Sequence, residues 1–183
     1  MKILIASDIH GATDRTEVLV DKIAALGPGL VLLLGDLLYH GPRNKLPGGY
    51  DGPDTAELLH SIETPVIAVR GNCDAEVDQL MLPWTLVETS CLDLDGHLFL
   101  AVHGHQLPIN GGHWEVSPGF NLLFGHTHLP LAERRDETRL WNPGSLGIPK
   151  GGNPPSYGWY QDGVFQVRAL NDEVIAQDSF RGW

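Results

Sequence analysis

Cysteine, basic charge and long apolar runs are all scarce in this chain of 183 residues. The two cysteines, Cys73 and Cys91, cannot form the disulfide framework of a small secreted domain, so we expect reduced thiols and a cytoplasmic location. No apolar run approaches the roughly 20 residues that a membrane-spanning helix needs. The first residues turn acidic at Asp8, too soon for a signal peptide. The sequence therefore predicts no membrane partner.

Positive charge is also limited, because 12 Lys and Arg face 23 Asp and Glu and give a formal net charge of -11. The phosphate backbone supplies most of the non-specific affinity for nucleic acid, so this balance argues against an extended nucleic-acid surface. The net negative charge of the chain favours small substrates over polymeric nucleic acid. Part of the negative charge is available for binding metal ions.

Hydrophobic residues make up 42% of the chain, and no linker or shift of composition divides it. We therefore predict one globular domain over residues 1–183.

The first half of the sequence alternates buried-strand and helix patterns. Thr13 is the predicted cap of the first helix, and Asp54 is the predicted cap of the second. This order predicts parallel strands joined by right-handed crossovers. The predicted strands cover residues 3–6, 30–34 and 66–69, and the predicted helices cover residues 14–26 and 56–62.

From about Thr85 the pattern changes and predicts short antiparallel strands. Asp95-Gly96 and Asp162-Gly163 are strong hairpin signals. Residues 39–53 contain no apolar period and form a long loop, which is often functional in a compact domain. The whole sequence predicts an α/β protein with mixed sheets flanked by helices.

Polar side chains follow the predicted strands at the point where each strand ends. In open α/β sheets, ligands bind beyond the carboxyl ends of the strands. Seven such side chains offer carboxylate, amide and imidazole donors, which suit Mn²⁺, Fe²⁺, Zn²⁺, Ni²⁺ or Co²⁺. Seven ligands exceed one tetrahedral ion, so we predict two ions that share one carboxylate. The predicted ligands are Asp8, His10, Asp36, Asn72, His103, His126 and His128.

Five short blocks around these residues, in this order, resemble those of the calcineurin-like metallophosphoesterases. Loop 39–53, which contains His40-Gly41-Pro42-Arg43-Asn44, further resembles the YfcE-type branch of bacterial phosphodiesterases. The segment Asn142-Pro143-Gly144-Ser145 resembles another motif of the small bacterial branch, and we expect it to form a tight turn behind the metal-binding loops. The blocks are Asp8-Ile9-His10, Gly35-Asp36, Gly71-Asn72-Cys73-Asp74, His103-Gly104-His105 and Gly125-His126-Thr127-His128.

The resemblance implies a four-layer αββα sandwich with a dinuclear centre, commonly of Mn²⁺. It further implies that Asp8, His10 and His128 hold one ion, that Asn72, His103 and His126 hold the other, and that Asp36 bridges them. The implied reaction is metal-dependent hydrolysis of a small phosphodiester, in which a hydroxide shared by the ions attacks phosphorus in line. A phosphomonoesterase or nucleotide phosphatase is the alternative, and a non-catalytic metal-binding scaffold is a weaker one. The relatives often self-associate, which leaves a homo-oligomer open.

Several further residues are candidates for catalysis or substrate contact. Asp36 and Asn72 are predicted to act in catalysis. His105 either orients a ligand or touches the phosphate, and Arg43 and Arg70 either contact phosphate or are solvated charges. Cys73 stands where the related protein phosphatases have a histidine that protonates the leaving group, and a thiol is a poor acid for that step. We expect the wall near His105 and Trp114, together with loop 39–53, to set specificity.

Overall fold

The computed structural model describes residues 1–107 and 116–180, so Trp114 lies outside the described residues. The helices are α1 (Thr13–Leu26), α2 (Gly52–His60) and α3 (Glu76–Met81). The strands are β1 (Lys2–Ala6), β2 (Leu30–Leu33), β3 (Val66–Val69), β4 (Leu86–Val87), β5 (Thr89–Leu94), β6 (His97–Val102), β7 (Phe120–Phe124), β8 (Pro130–Arg135), β9 (Thr138–Pro143), β10 (Ser156–Gln161), β11 (Val164–Ala169) and β12 (Val174–Ser179).

A seven-stranded sheet has the order β12-β11-β10-β1-β2-β3-β4. The apolar runs of β1 and β2 are buried on both faces. The two strands pair in parallel and are connected through α1, which confirms the predicted parallel arrangement. The short strand β4 pairs in parallel with β3, with Leu86 beside Ala68, so its assignment to an antiparallel region is wrong. Two residues are too few to show an alternation that would identify the partner strand.

A five-stranded sheet has the order β5-β6-β7-β9-β8. The hairpin between β5 and β6 turns at Asp95-Gly96, where both residues have positive φ, as the sequence predicts. Strand β7 pairs in parallel with β6 and β9, which brings the carboxyl ends of β6 and β7 to one edge.

The two sheets pack face to face across an apolar core that includes Ile5, Phe99 and Trp141. The other face of the larger sheet is covered by the helices through residues such as Leu19, Leu59 and Met81. The α/β class with two mixed sheets is thus confirmed. The three helices in residues 1–107 and 116–180 all lie on the outer face of the larger sheet. Within these residues, no helix forms the fourth layer that the predicted αββα sandwich places on the smaller sheet.

Both predicted helix caps are wrong. Helix α1 begins at Thr13 itself, whose hydroxyl donates to the carbonyl of Asp51 (2.9 Å). Helix α2 begins four residues earlier than predicted, because the side chain of Asp51 accepts the N–H of Asp54 and Pro53 suits the first turn. No helix in the described part of the chain is long and apolar enough to cross a bilayer.

Candidate metal centre

The predicted ligands come from loops at one edge of both sheets. Asp8 and His10 follow β1, Asp36 follows β2, and Asn72 follows β3, all in the larger sheet. The remaining ligands follow β6 and β7 of the smaller sheet: His103, His126 and His128. The structure therefore brings all seven predicted ligands to the junction of the two sheets.

Five of these residues have a left-handed backbone, with φ between 50° and 61°. Such φ values are unusual for residues other than glycine, and strained conformations of this kind concentrate at functional sites. The left-handed bends turn each loop sharply after its strand. The five residues are Asp8, His10, Asp36, His126 and His128.

The first donor group contains Asp8, His10 and His128. Oδ1 of Asp8 lies 3.3 Å from Nε2 of His128 and 3.8 Å from Nε2 of His10. Its other oxygen, Oδ2, accepts the hydroxyl of Ser7 (2.7 Å) and the N–H of His126 (2.9 Å). The carboxylate is therefore fixed by one oxygen and presents the other to the two imidazoles.

Asp36 lies between the first group and a second one. Its Oδ2 is 3.6 Å from Nε2 of His10 and 3.5 Å from Nε2 of His103, while Oδ1 accepts the N–H of Cys73 (2.7 Å). On the far side, Nε2 of His103 is 3.1 Å from Oδ1 of Asn72. The ring of His126 lies 5.1 Å from that of His103. Asp36 therefore faces one histidine of each group.

Three imidazoles are oriented by backbone carbonyls. Nδ1 of His10 bonds to Tyr39 (2.8 Å), that of His103 to Leu34 (2.7 Å) and that of His128 to Ile148 (2.5 Å). Because a carbonyl only accepts, each Nδ1 carries the proton, and in the neutral ring Nε2 keeps a free lone pair. This is the usual arrangement of metal-ligating histidines.

The donor atoms fit divalent ions. Asp8 Oδ1 and His10 Nε2 are buried and have no hydrogen-bond partner among the described residues. Buried polar atoms are nearly always paired, so these two atoms point to an ion as their partner. Carboxylate and imidazole donors from Asp8, Asp36, His10, His103 and His128 lie in overlapping groups with atoms within 4.8 Å of one another.

Burial and neighbouring charges shift the pKa values of three candidate ligands. Burial would lower the pKa of His103, but the carboxylates of Asp36 and Asp8 outweigh it and raise the pKa to about 9. Burial would raise the pKa of Asp36, but His103 and the N–H of Cys73 hold that pKa well below its usual range. Burial and the charge of His103 lower the pKa of His126 to about 4. His103 therefore binds a proton where an ion would bind.

Asp74 is a buried residue to which sequence reasoning gave no role. Its Oδ2 accepts the N–H groups of Gly71 (2.7 Å) and Asp36 (2.8 Å), and Oδ1 accepts that of Leu37 (2.8 Å). The carboxylate thus ties the loop after β2 to the loop after β3. Gly71 permits this contact, because a Cβ there would lie 2.1 Å from Asp36 Oδ1.

The segment from Asn142 to Ser145 lies behind the histidine loop as predicted, but Asn142 and Pro143 end strand β9 and do not belong to a tight turn. Asn142 Nδ2 donates to the carbonyl of Gly125 (2.8 Å) and the hydroxyl of Thr127 (3.1 Å). The hydroxyl of Ser145 donates to the carbonyl of Asp8 (2.8 Å). These bonds hold the loops of both sheets in register.

A cavity of about 630 Å³ opens onto the donor groups. Asp36, Asn72, Cys73 and Arg43 line it, as does Lys150, which sequence reasoning missed. Lys150 lies 22 residues after His128 in the sequence, and no motif around it indicates a place in the site.

Two predicted substrate contacts lie elsewhere. The guanidinium of Arg70 does not line this cavity but lies 3.5 Å from Glu88 and donates to the carbonyl of Asp74 (3.3 Å). His105 lies in a separate, smaller cavity, with its ring 5.6 Å from that of His103 and 6.2 Å from that of His126. The structure therefore does not bring Arg70 and His105 to the main cavity.

Comparison with known proteins begins with the sequence profile of the calcineurin-like phosphoesterase superfamily domain, which matches residues 1–161. The chain belongs to this superfamily. It is thus a phosphoester hydrolase of a group that depends on divalent metal ions.

Individual relatives within the superfamily agree with this assignment. The chain is 48% identical over 184 residues to phosphodiesterase YfcE of Escherichia coli K12, covering 97% of each protein. A solved structure of YfcE, described as a phosphoesterase from E. coli, matches with a TM-score of 0.92 and 42% identity over 99% of this chain and 100% of that one. Vps29 of Entamoeba histolytica complexed with Zn²⁺ matches with a TM-score of 0.68 and 20% identity, over 99% and 100% of the two chains. That likeness shows the fold alone.

Cys73 lies beside the candidate ligands, next to the loop that follows β2. A Cβ at Gly41 would lie 2.8 Å from its sulfur, so loop 39–53 packs directly on the thiol. Burial and the charge of Asp36 raise the pKa of Cys73 to about 12. These surroundings favour the protonated thiol at neutral pH. The sulfur also lies within 4.8 Å of donor atoms of His10 and Asp36.

Proposed function

We propose that the protein hydrolyses small phosphodiesters with two divalent ions, of which Mn²⁺ is the first candidate. The observation that carries the proposal is the position of Asp36, whose Oδ2 lies 3.6 Å from His10 and 3.5 Å from His103. One carboxylate that faces a histidine of each group is the arrangement that a bridging ligand needs. The similarity to YfcE, a phosphodiesterase, supports the diester as substrate.

We assign each ion its own protein ligands. Asp8, His10 and His128 would hold one ion. Asn72, His103 and His126 would hold the other. When bound, the ions would supply Lewis-acid stabilisation of a phosphoryl oxygen and a water of lowered pKa.

The remaining residues set the charge and the access around the reacting phosphate. The guanidinium of Arg43, which lines the cavity, is available to an anionic part of the substrate. Cys73 presents a protonated, weakly acidic thiol, so the protein supplies no strong acid at that position for the leaving group. A diester with a good leaving group is therefore the favoured substrate. His105 acts from behind His103 and His126 as a positioning residue.

The reducing cytoplasm is the compartment that fits this chemistry. Cys73 and Cys91 are both free thiols, and Cys91 is exposed. Exposed free thiols persist in a reducing compartment.

The test is removal and return of the metal. Protein stripped with EDTA is restored with Mn²⁺, Zn²⁺, Ni²⁺ or Co²⁺ and assayed on bis(p-nitrophenyl) phosphate and p-nitrophenyl phosphate. We expect restored hydrolysis, faster on the diester, and loss of activity in Asp36→Asn. Asp162→Asn, which removes a charge from an exposed hairpin turn, is the matched control. No restored activity on either ester contradicts the proposal, and faster hydrolysis of the monoester makes the protein a phosphomonoesterase.

A further inference from the structure

Two cations share the cavity with the donor groups, although the chain carries a net charge of -11. Arg43 and Lys150 both line the cavity and are exposed. Most other cations of the described residues are already engaged: Lys22 with Asp172, and Arg139 with Asp178. Within residues 1–107 and 116–180, the side chains of Arg43 and Lys150 form no ion pair or hydrogen bond with the protein. Their charges are therefore available to a ligand.

The backbone of Lys150 is fixed relative to the metal centre. Its N–H donates to the carbonyl of His128 (3.2 Å), and the carbonyl of Ile148 accepts Nδ1 of the same histidine. The preceding turn is held by Arg15, whose guanidinium donates to the carbonyl of Gly147 (2.6 Å). A cation on a fixed turn pays less entropy to bind an anion than one on a mobile loop.

The backbone of Arg43 is fixed from the opposite loop. The carbonyl of Tyr39 bonds to Nδ1 of His10, and Asn44 Nδ2 donates to the carbonyl of His40 (2.8 Å). Gly41 packs on the sulfur of Cys73. Each cation is therefore anchored beside a different part of the metal centre.

One scissile diester carries a single negative charge, which two divalent ions already balance. Two further unpaired cations in the same cavity are best used by a second anionic group. We propose that Arg43 and Lys150 form a subsite for a second anionic group, on the side of the diester that does not leave. The substrate class is then a small phosphodiester that bears a carboxylate or a phosphate in addition to the scissile phosphate. This inference rests on the proposed function.

The test uses two matched diesters that both release p-nitrophenolate. One is p-nitrophenyl 4-carboxyphenyl phosphate, and the other is its neutral analogue, p-nitrophenyl 4-carbamoylphenyl phosphate. We expect the metal-loaded enzyme to favour the carboxylate roughly threefold to tenfold in kcat/KM, the range for one or two partly exposed charge pairs. The preference shrinks in high salt, because exposed charges are screened.

Substitutions of the two cations test whether the preference for the carboxylate diester arises in the cavity. Lys150→Gln and Arg43→Gln each reduce the ratio between the two diesters, and Lys150→Arg retains it. Lys45→Gln is the matched control, because Lys45 is an exposed cation in the same loop that does not line the cavity. It removes the same charge and leaves the ratio unchanged. An equal loss on both diesters in Lys150→Gln would show contact with the scissile phosphate and overturn the subsite.

Binding is measured separately from hydrolysis. The two product monoesters, 4-carboxyphenyl phosphate and 4-carbamoylphenyl phosphate, are titrated calorimetrically into the metal-loaded protein. We expect tighter binding of the carboxylate by a similar factor, and a smaller factor in Lys150→Gln. Equal Kd values overturn the subsite even if both diesters are hydrolysed. Unequal Kd values without hydrolysis of either diester support the subsite and contradict the diesterase proposal instead.

Discussion

Replacement of Asp74 by asparagine tests whether one buried carboxylate holds the two ligand loops together. The carboxylate accepts three backbone N–H groups, from Gly71, Asp36 and Leu37, at 2.7 to 2.8 Å. In the better of its two orientations, an asparagine amide keeps two of these bonds and turns its NH₂ group toward the third donor. One charge-assisted bond is then lost and one buried N–H is left unpaired.

The magnitude follows from two opposing effects. A hydrogen bond to a charged group contributes about 1.5–3 kcal/mol, and an unpaired buried donor adds a cost of similar size. Burial raises the pKa of Asp74, so removing its charge recovers part of this loss. We expect Asp74→Asn to lower the free energy of unfolding by about 2 kcal/mol, which is about 4–8 °C in Tm for a domain of this size. We also expect a lower kcat, because the Asp36 and Asn72 loops lose their common anchor.

The assay is urea unfolding in EDTA, followed by kinetics of the metal-loaded enzyme. Asp78→Asn is the control, because Asp78 is also buried but, within the part of the chain that the structure describes, accepts only the N–H of Ala75 (3.0 Å). An amide oxygen can still accept this bond. Its stability should stay within about 0.5 kcal/mol of the original. If Asp74→Asn unfolds at the same urea concentration as Asp78→Asn, the anchoring argument is refuted.

Three further predictions concern the metal centre. His128→Ala should weaken binding of one ion by at least about 100-fold, measured as metal content after dialysis, with the second ion retained. Cys73→His should raise turnover on esters with poor leaving groups, and unchanged rates would reject a role for position 73 in leaving-group protonation. Because the pKa of His103 is raised to about 9, its proton must leave before an ion binds, so metal affinity should rise with pH up to that value. Calorimetry in buffers of different ionisation enthalpy should show this proton release near neutral pH, and its absence would contradict the shift.

Much of the fold is predictable because the buried strands are continuous apolar runs. Strand β3 has the predicted bounds, and β1 and β2 differ from them by one residue. Strands β8 and β12 and helix α3 escape prediction, since β8 and β12 lie at sheet edges with few buried residues and α3 has only six residues. Edge strands are often polar, so their sequences resemble those of loops.

The candidate ligands are predictable for a related reason, since each follows an apolar strand. The contacts that orient them are not local in sequence. Asp74 binds backbone N–H groups more than thirty residues away at Asp36 and Leu37. Arg70 is next to the asparagine loop in sequence, yet its guanidinium turns to Glu88. The neighbouring residues in the sequence therefore do not show where the side chain of Asp74 or that of Arg70 points.

The division of the donor atoms between two sheets also has a consequence for biosynthesis. Asp8 and Asp36 are made early, whereas His126 and His128 emerge only after β7 has been synthesised. A nascent chain that ends before His126 cannot complete either proposed group of ligands, even if β1 to β4 have already formed. The proposed centre can therefore be completed only after β7 and the histidine loop that follows it have been made.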